Sequence, residues 1–222
     1  MPLVLTSIYS WSSGPRWYSK GEIMSYMMFS VGTMNPSHVE AGSSMVKAKL
    51  VDLGSSRVST TISITGATTG ASVVTSTWDS VDAGLAGRSG LYADKEMATV
   101  MQAGGWTPLN FAIGEITSER GNGEGAYTVA VFGQAERPAW DRTDEMGDLL
   151  WGIASKNGVN GIRGLRMVAA GEQTGSMMNI FYTDSVDAYL ATSSELASNS
   201  DFVSLMSDQG ARIVDRSINR TI

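Results

Sequence analysis

Apolar positions along the chain fall into short dense runs and alternating stretches, separated by turn residues. The apolar runs 25–31 and 127–132 read as buried central strands. A helical pattern follows each. In the first, Ser37 stands as N-cap with Glu40 at N3, a capping-box spacing. In the second, Asp141 or Thr143 can cap, and Met146, Leu149, Leu150 and Ile153 fall at helical spacing. The stretches 57–64 and 161–169 predict second strands. Glycine-rich turns at 66–70 and 171–175 then lead into 71–78 and 176–183, completing two hairpins. Asp79 and Asp184 are placed to cap the next helices, their carboxylates facing free backbone N–H groups. Short helices at 95–102 and 201–208 end before Gly105 and Gly210, which suit the position after a helix. The last strands are 106–117 and 211–222, and the polar, Gly-rich 118–125 (SERGNGEG) reads as a linker.

The order of elements occurs twice because the sequence does. Thr69-Gly70 followed by ASVVTSTWDSVDAGLAGRSGL matches Thr174-Gly175 followed by SMMNIFYTDSVDAYLATSSEL without a gap, at an offset of 105. Beyond it Met101 matches Met206, Gly105 matches Gly210 and Ile113 matches Ile218. The front parts agree less closely: YMMFSVG at 26–32 aligns with YTVAVFG at 127–133 at an offset of 101, and Pro36 and Pro138 each precede a helical pattern. Two copies of a long unit indicate a duplicated small domain rather than a solenoid. The expected domains are repeat 1 at 24–117, the linker at 118–125 and repeat 2 at 126–222.

Each copy reads β-α-β-β-α-(α)-β, the order of a ferredoxin-like split βαβ sheet with helices on one face. The bare sheet face must be buried, and with two copies in one chain the natural partner is the other sheet. This order, the duplication and the extra short helix before the last strand resemble the dimeric α+β barrel superfamily, which includes stress-responsive A/B-barrel, antibiotic-monooxygenase-like and NIPSNAP-like proteins. The resemblance spans about residues 25–222 and rests on no catalytic motif, so it speaks to fold more than to function. It implies two tandem ferredoxin-like repeats forming a single-chain version of the dimeric barrel.

Composition narrows the chemistry. Of 222 residues 42% are hydrophobic and 17% charged, enough apolar material for a core. The net charge of −6 argues against nucleic acid or an anionic membrane as partner. Arg212, Arg216 and Arg220 are the nearest approach to a basic cluster, and Asp215 interrupts them. No cysteine is present, which removes disulfides, iron–sulfur clusters, thiolate zinc sites and a Cys nucleophile, and fits a reducing, cytoplasmic setting. No apolar run nears the ~20 residues that span a membrane. Residues 1–23 lie outside the repeat. Lys20-Gly21-Glu22-Ile23-Met24 is compatible with AAAGGAGAAATTATG, a bacterial ribosome-binding sequence before a start codon, which would make Met24 the native start; an ordinary tail is the alternative.

Candidate site residues are few. His38 is the single histidine, expected just ahead of the first helix, and reads as a general base or ligand contact at the barrel mouth, or as an exposed helix-start residue. Haem-binding members of the superfamily use a histidine as proximal ligand. His38 does not match that position, so no cofactor is implied, and a single histidine leaves no metal site. In the last strand of repeat 1, Trp106, Asn110 and Ala112 share one face, with Asn110 and its counterpart Asp215 directed into the barrel. Leu109, Phe111 and Ile113 share the face that packs on helices. Asn179 stands where repeat 1 has Val74, a polar-for-apolar difference that would mark a specialised pocket; Tyr182, Arg163 and Arg166 are further ligand contacts, or satisfied structural groups. Asp79/Asp82 and Asp184/Asp187 read as caps, and the methionines as core filler. The function classes that remain are a cofactor-independent monooxygenase, isomerase or cyclase acting on a small apolar or aromatic molecule, a non-catalytic binder of such a molecule, and a structural or stress-related barrel. Such a chain is expected as a monomeric pseudo-dimer or a homodimer.

Overall fold

The computed structural model describes residues 24–222. The reading of 1–23 as an extension lies outside the described residues. The elements are β1 Tyr26–Thr33, α1 Pro36–Asp52, β2 Arg57–Ser63, β3 Ser72–Trp78, α2 Val81–Ala93, α3 Lys95–Ala103 and β4 Thr107–Gly121. They continue with β5 Tyr127–Ala135, α4 Thr143–Ala154, β6 Val159–Ala169, β7 Met177–Thr183, α5 Val186–Ser198, α6 Ser200–Asp208 and β8 Ala211–Thr221. The fold is mixed α+β. Its strands close into one antiparallel barrel in the order β1-β3-β2-β8-β5-β7-β6-β4. Within that ring β1–β4 are neighbours as β4-β1-β3-β2, and β5–β8 as β8-β5-β7-β6.

The period-2 alternation of a strand separates two environments here. On β7, Met178, Ile180 and Tyr182 join Phe29, Leu165 and Met167 in a core inside the barrel. Phe181, on the opposite face, joins Val129, Leu150, Ile153 and Tyr189 in a layer between sheet and α4–α6. A matching layer in the first half gathers Met28, Leu50, Trp78, Leu91, Met97 and Ile113 under α1–α3. Helices therefore coat the outside, and the barrel has its own interior.

The two halves meet along two unequal seams. Between β4 and β6 the pairing runs from Ile113↔Ala169 to Gly121↔Gly161. Between β2 and β8 it covers only Thr61↔Thr221 to Ser63↔Asn219. The first seam corrects the expected linker: β4 continues through Gly121, because Ser118, Glu119 and Arg120 pair with Gly164, Arg163 and Ile162. A bulge between Ile116 and Ser118 shifts the register, so that Glu119 pairs with Arg163 and Arg120 bonds Asp148 of α4 at 2.7 Å.

Several caps sit one or two residues from where the pattern puts them. Asn35, not Ser37, caps α1, its side chain accepting from the Ser37 N–H at 3.1 Å. Ser80 and Ser185, not Asp79 and Asp184, cap α2 and α5 by accepting from Ala83 and Ala188 N–H. Asp184 instead accepts from the Ala126 N–H and from Asn160, tying the start of the second half to its hairpin. Gly105 and Gly210 do follow α3 and α6 with φ of +63° and +57°, where a side chain would be strained. In β4, Phe111 and Ile113 pack under the helices as expected, but Leu109 is 56% exposed. Trp106 precedes the strand and turns to the helix side. Among the described residues no helix is long and apolar enough to cross a membrane.

Candidate functional site

Each half has a space between its sheet and its helices, and the two spaces differ. In the first half Trp78 at the end of β3 is 2% exposed and lies on α2, where a Cβ on Gly87 would strike its ring and one on Gly84 would strike Met28 and crowd the indole. At the offset of 105 the second half has Thr183 in place of Trp78, and Tyr189 and Thr192 in place of Gly84 and Gly87. Bulk has moved from strand to helix. A cavity of about 60 Å³ remains in the first half and one of about 240 Å³ in the second.

The larger cleft is walled by Trp140, Met146, Phe181, Tyr189 and Phe202. Its floor is polar, for a reason visible at Gly164 on β6. The position a Cβ would take there lies 2.6 Å from Ser118 Oγ and 3.4 Å from both Thr117 Oγ1 and Asn179 Oδ1. Three side-chain oxygens thus converge over a residue that must lack a side chain. At the other edge, Arg216 Nη2 donates to Ser193 Oγ at 3.4 Å and its guanidinium lies 5.4 Å from the Tyr189 ring centroid. At the equivalent positions the first half has Arg88 on α2 in place of Ser193 and Phe111 on β4 in place of Arg216, with Arg88 stacked 4.3 Å over Phe111. Burial pushes the Tyr189 phenol above its ordinary range, against the pull of Arg216. The lining contains no carboxylate and no imidazole. It can donate hydrogen bonds and positive charge, and it holds no base that would accept a proton near neutral pH.

The expected site residues divide among four places. Asn179 lines this cleft on the helix side of β7, where Val74 lines the smaller one. Asn110 and Tyr182 line the barrel interior, a separate cavity of about 230 Å³; Asn110 stands exposed at its open end, and Asp215 lines it as well. Tyr182 lies against Arg57 and Arg163, each guanidinium 5.9 Å from its ring, and burial raises its phenol above the usual range. Arg163, 2% exposed, is ion-paired with Glu119. Arg166 is on the outer face: its Nε donates to buried Glu115 at 2.9 Å, and its guanidinium stacks 5.6 Å from the Trp140 ring centroid. It braces a wall of the cleft. His38 lies within the first turn of α1 rather than before it, its Nδ1 3.1 Å from Ser37 Oγ, and it lines none of these three cavities. The pattern passed over Thr117, Ser118, Tyr189 and Arg216. The signal for the last two was present as mismatches with Gly84 and Phe111 at the offset of 105.

No protein-family profile and no curated protein matches the chain. Solved structures do. A candidate monooxygenase from Lactobacillus acidophilus matches with a TM-score of 0.56 at 9% identity, covering 90% of this chain and 94% of that one. A candidate chlorite dismutase matches at 0.57 and 9% identity, over 90% and 96%. An anthrone oxidase-like protein matches at 0.55 and 15%, over 91% and 92%. The likeness is one of fold. The ferredoxin-like α+β barrel is the architecture they share with this chain. The single imidazole lines none of the three cavities, so no histidine is placed to ligate a haem in them, and among the described residues no group of three or more His, Asp or Glu side chains could hold a metal ion.

Proposed function

We propose that this chain is a single-chain α+β barrel of two tandem ferredoxin-like repeats, the first closing with β4 and the second running from β5 to β8, and that it is an enzyme acting without a cofactor on a small apolar or aromatic molecule held in the second-half cleft. The matching neighbour orders of β1–β4 and β5–β8 support the duplication, and closure of the ring by one chain supports a monomer. The cysteine-free composition fits the bacterial cytoplasm.

The observation that carries the enzymatic reading is the cleft of about 240 Å³, aromatic-walled, with Thr117, Ser118 and Asn179 on its floor and Arg216 at its edge. Donors without a base suit a substrate that is itself acidic, a phenol or an enol. Asn179 and Arg216 would stabilise its anion, the form whose charge such fixed donors favour. An electron-rich anion of this kind can reduce dioxygen directly. Oxidation of an activated methylene then follows CH2 + O2 → C=O + H2O, with no external reductant. That reaction class accords with the oxidase and monooxygenase names of the fold neighbours.

The test is dioxygen uptake with anthrone as probe substrate. Uptake above the uncatalysed rate is expected, slowed at least tenfold by Asn179→Val and by Arg216→Gln. The absence of a base from the lining also favours a second reading, a non-catalytic binder of the same molecules. Binding of anthrone without uptake would support that reading, and neither binding nor uptake would sink both.

A further inference from the structure

The interior of the barrel has two chemically distinct walls, and their boundary follows the order of strands around the ring. On the contiguous arc β5-β7-β6-β4-β1 the cavity is lined mainly by apolar side chains, among them Phe132, Ile180, Met178, Met167 and Phe29. Asn110, Thr128 and Tyr182 are the polar exceptions. On the remaining arc, β3-β2-β8, the lining turns polar and rich in hydroxyls: Thr75, Ser59, Thr61 and Ser217. Asp215 and Asn219 lie beside them on β8, and Val73 is the apolar exception on β3. The hydroxyl arc takes two strands from the first half and one from the second, so neither half possesses it alone. Thr75 Oγ1 donates to the Ser59 carbonyl at 3.4 Å. Among the described residues the hydroxyls of Ser59, Thr61 and Ser217 make no hydrogen bond to protein. The cavity, about 230 Å³, opens between Asn110 and Asp215.

Buried hydroxyls need partners. Water supplies them on the polar arc, but on the opposite wall it would face mostly carbon and sulfur, with few polar neighbours there beyond Thr128, Tyr182 and, at the exposed end, Asn110. The volume exceeds the roughly 150 Å³ of an engineered apolar cavity that takes benzene. Phenylalanine rings and methionine sulfurs are good neighbours for an aromatic face.

We infer that the barrel interior is a second ligand site, for a one- or two-ring aromatic molecule carrying hydroxyl groups along one edge. The ring lies against Phe29, Phe132 and Met178, and the hydroxyl edge meets Thr61, Thr75 and Ser217. This site is separate from the helix-side cleft, and the inference does not rest on the activity proposed there.

The probes are 2,3-dihydroxynaphthalene, with both hydroxyls on one edge, 2,6-dihydroxynaphthalene, with hydroxyls on opposite edges, and naphthalene. Binding is read by calorimetry on the full chain. The 2,3 isomer is expected to bind at least tenfold more tightly than the other two. Thr61→Val with Thr75→Val should remove that advantage while leaving naphthalene binding unchanged. Ser217→Ala, a smaller change, gives the same direction should the double variant fail to fold. Equal affinity for all three probes, or no binding of the 2,3 isomer at millimolar concentration, overturns the inference. So does loss of 2,3-dihydroxynaphthalene binding in Asn179→Val, which would place the probe in the cleft. None of these outcomes bears on anthrone-dependent dioxygen uptake, so the two proposals fail separately.

Discussion

Asn179→Val separates a residue kept for ligand from one kept for structure. The carboxamide is half-buried in an apolar-walled cleft and makes no hydrogen bond among the described residues. Placing an amide in such surroundings without a partner costs about 1–3 kcal/mol in protein mutational series. Its partial exposure to solvent reduces that to about 1 kcal/mol. Valine adds apolar burial and a strand preference that contributes at most about 1 kcal/mol. The variant should therefore be more stable than the parent by about 1–2 kcal/mol. With a urea m-value of about 3 kcal/mol/M, the midpoint should rise by roughly 0.3–0.7 M at unchanged slope. The reciprocal change Val74→Asn, in the tighter first-half space, should lower stability by about 1–3 kcal/mol. Equilibrium urea unfolding followed by far-UV circular dichroism measures both. A midpoint that falls in Asn179→Val would mean the amide holds structure, and the cleft floor would lose its standing as a site poised for ligand.

Trp78→Ala removes a 2%-exposed side chain that fills the first-half space, and should cost about 3–5 kcal/mol. At roughly 2–4 °C per kcal/mol for a chain of this size, thermal unfolding should start roughly 6–20 °C lower. Arg163→Met should change stability by less than about 2 kcal/mol, because the loss of one ion-pair partner is offset by removing a buried charge with unpartnered Nε and Nη1 while Glu119 keeps Arg57 and solvent; a larger loss in urea would contradict this. The Met97 N–H, and then the Lys49 ammonium, hold the Asp94 carboxyl below its usual range. A depressed carboxyl contributes stability that is complete above the unfolded value of about 4 and is lost as pH falls through the lower folded value. Asp94→Asn, which keeps the cap, should flatten the fall in melting temperature below about pH 4, and an unchanged acid limb would speak against the pair.

Much of the architecture is legible along the chain because its signals are local. Turn glycines, cap residues and alternating apolar positions recur in the second half, at an offset of 101 in the first strands and 105 beyond them, and each acts over a few residues. The element order and the two hairpins follow from them. Where the pattern erred, the error was also local in kind. Asn35, Ser80 and Ser185 compete with neighbouring side chains for the same N–H groups, and only backbone geometry selects the winner. The site is less legible. That Asn179 differs from Val74 is visible in one line of alignment, but the wall it lines depends on its place in the strand. Asn110 and Tyr182 line the barrel interior; Asn179, at the other phase of β7, lines the cleft.

The duplicated order of elements, the absence of thiol chemistry and the single histidine belong to the sequence by itself. Which space stays open belongs to the tertiary structure. Trp78 against Gly84 and Gly87, and Thr183 against Tyr189 and Thr192, put similar bulk on opposite sides of equivalent interfaces. A cavity is the difference between the volume two packed surfaces enclose and the volume their side chains fill. That difference depends on which side chains face each other across the fold, a relation that spacing along one chain does not contain.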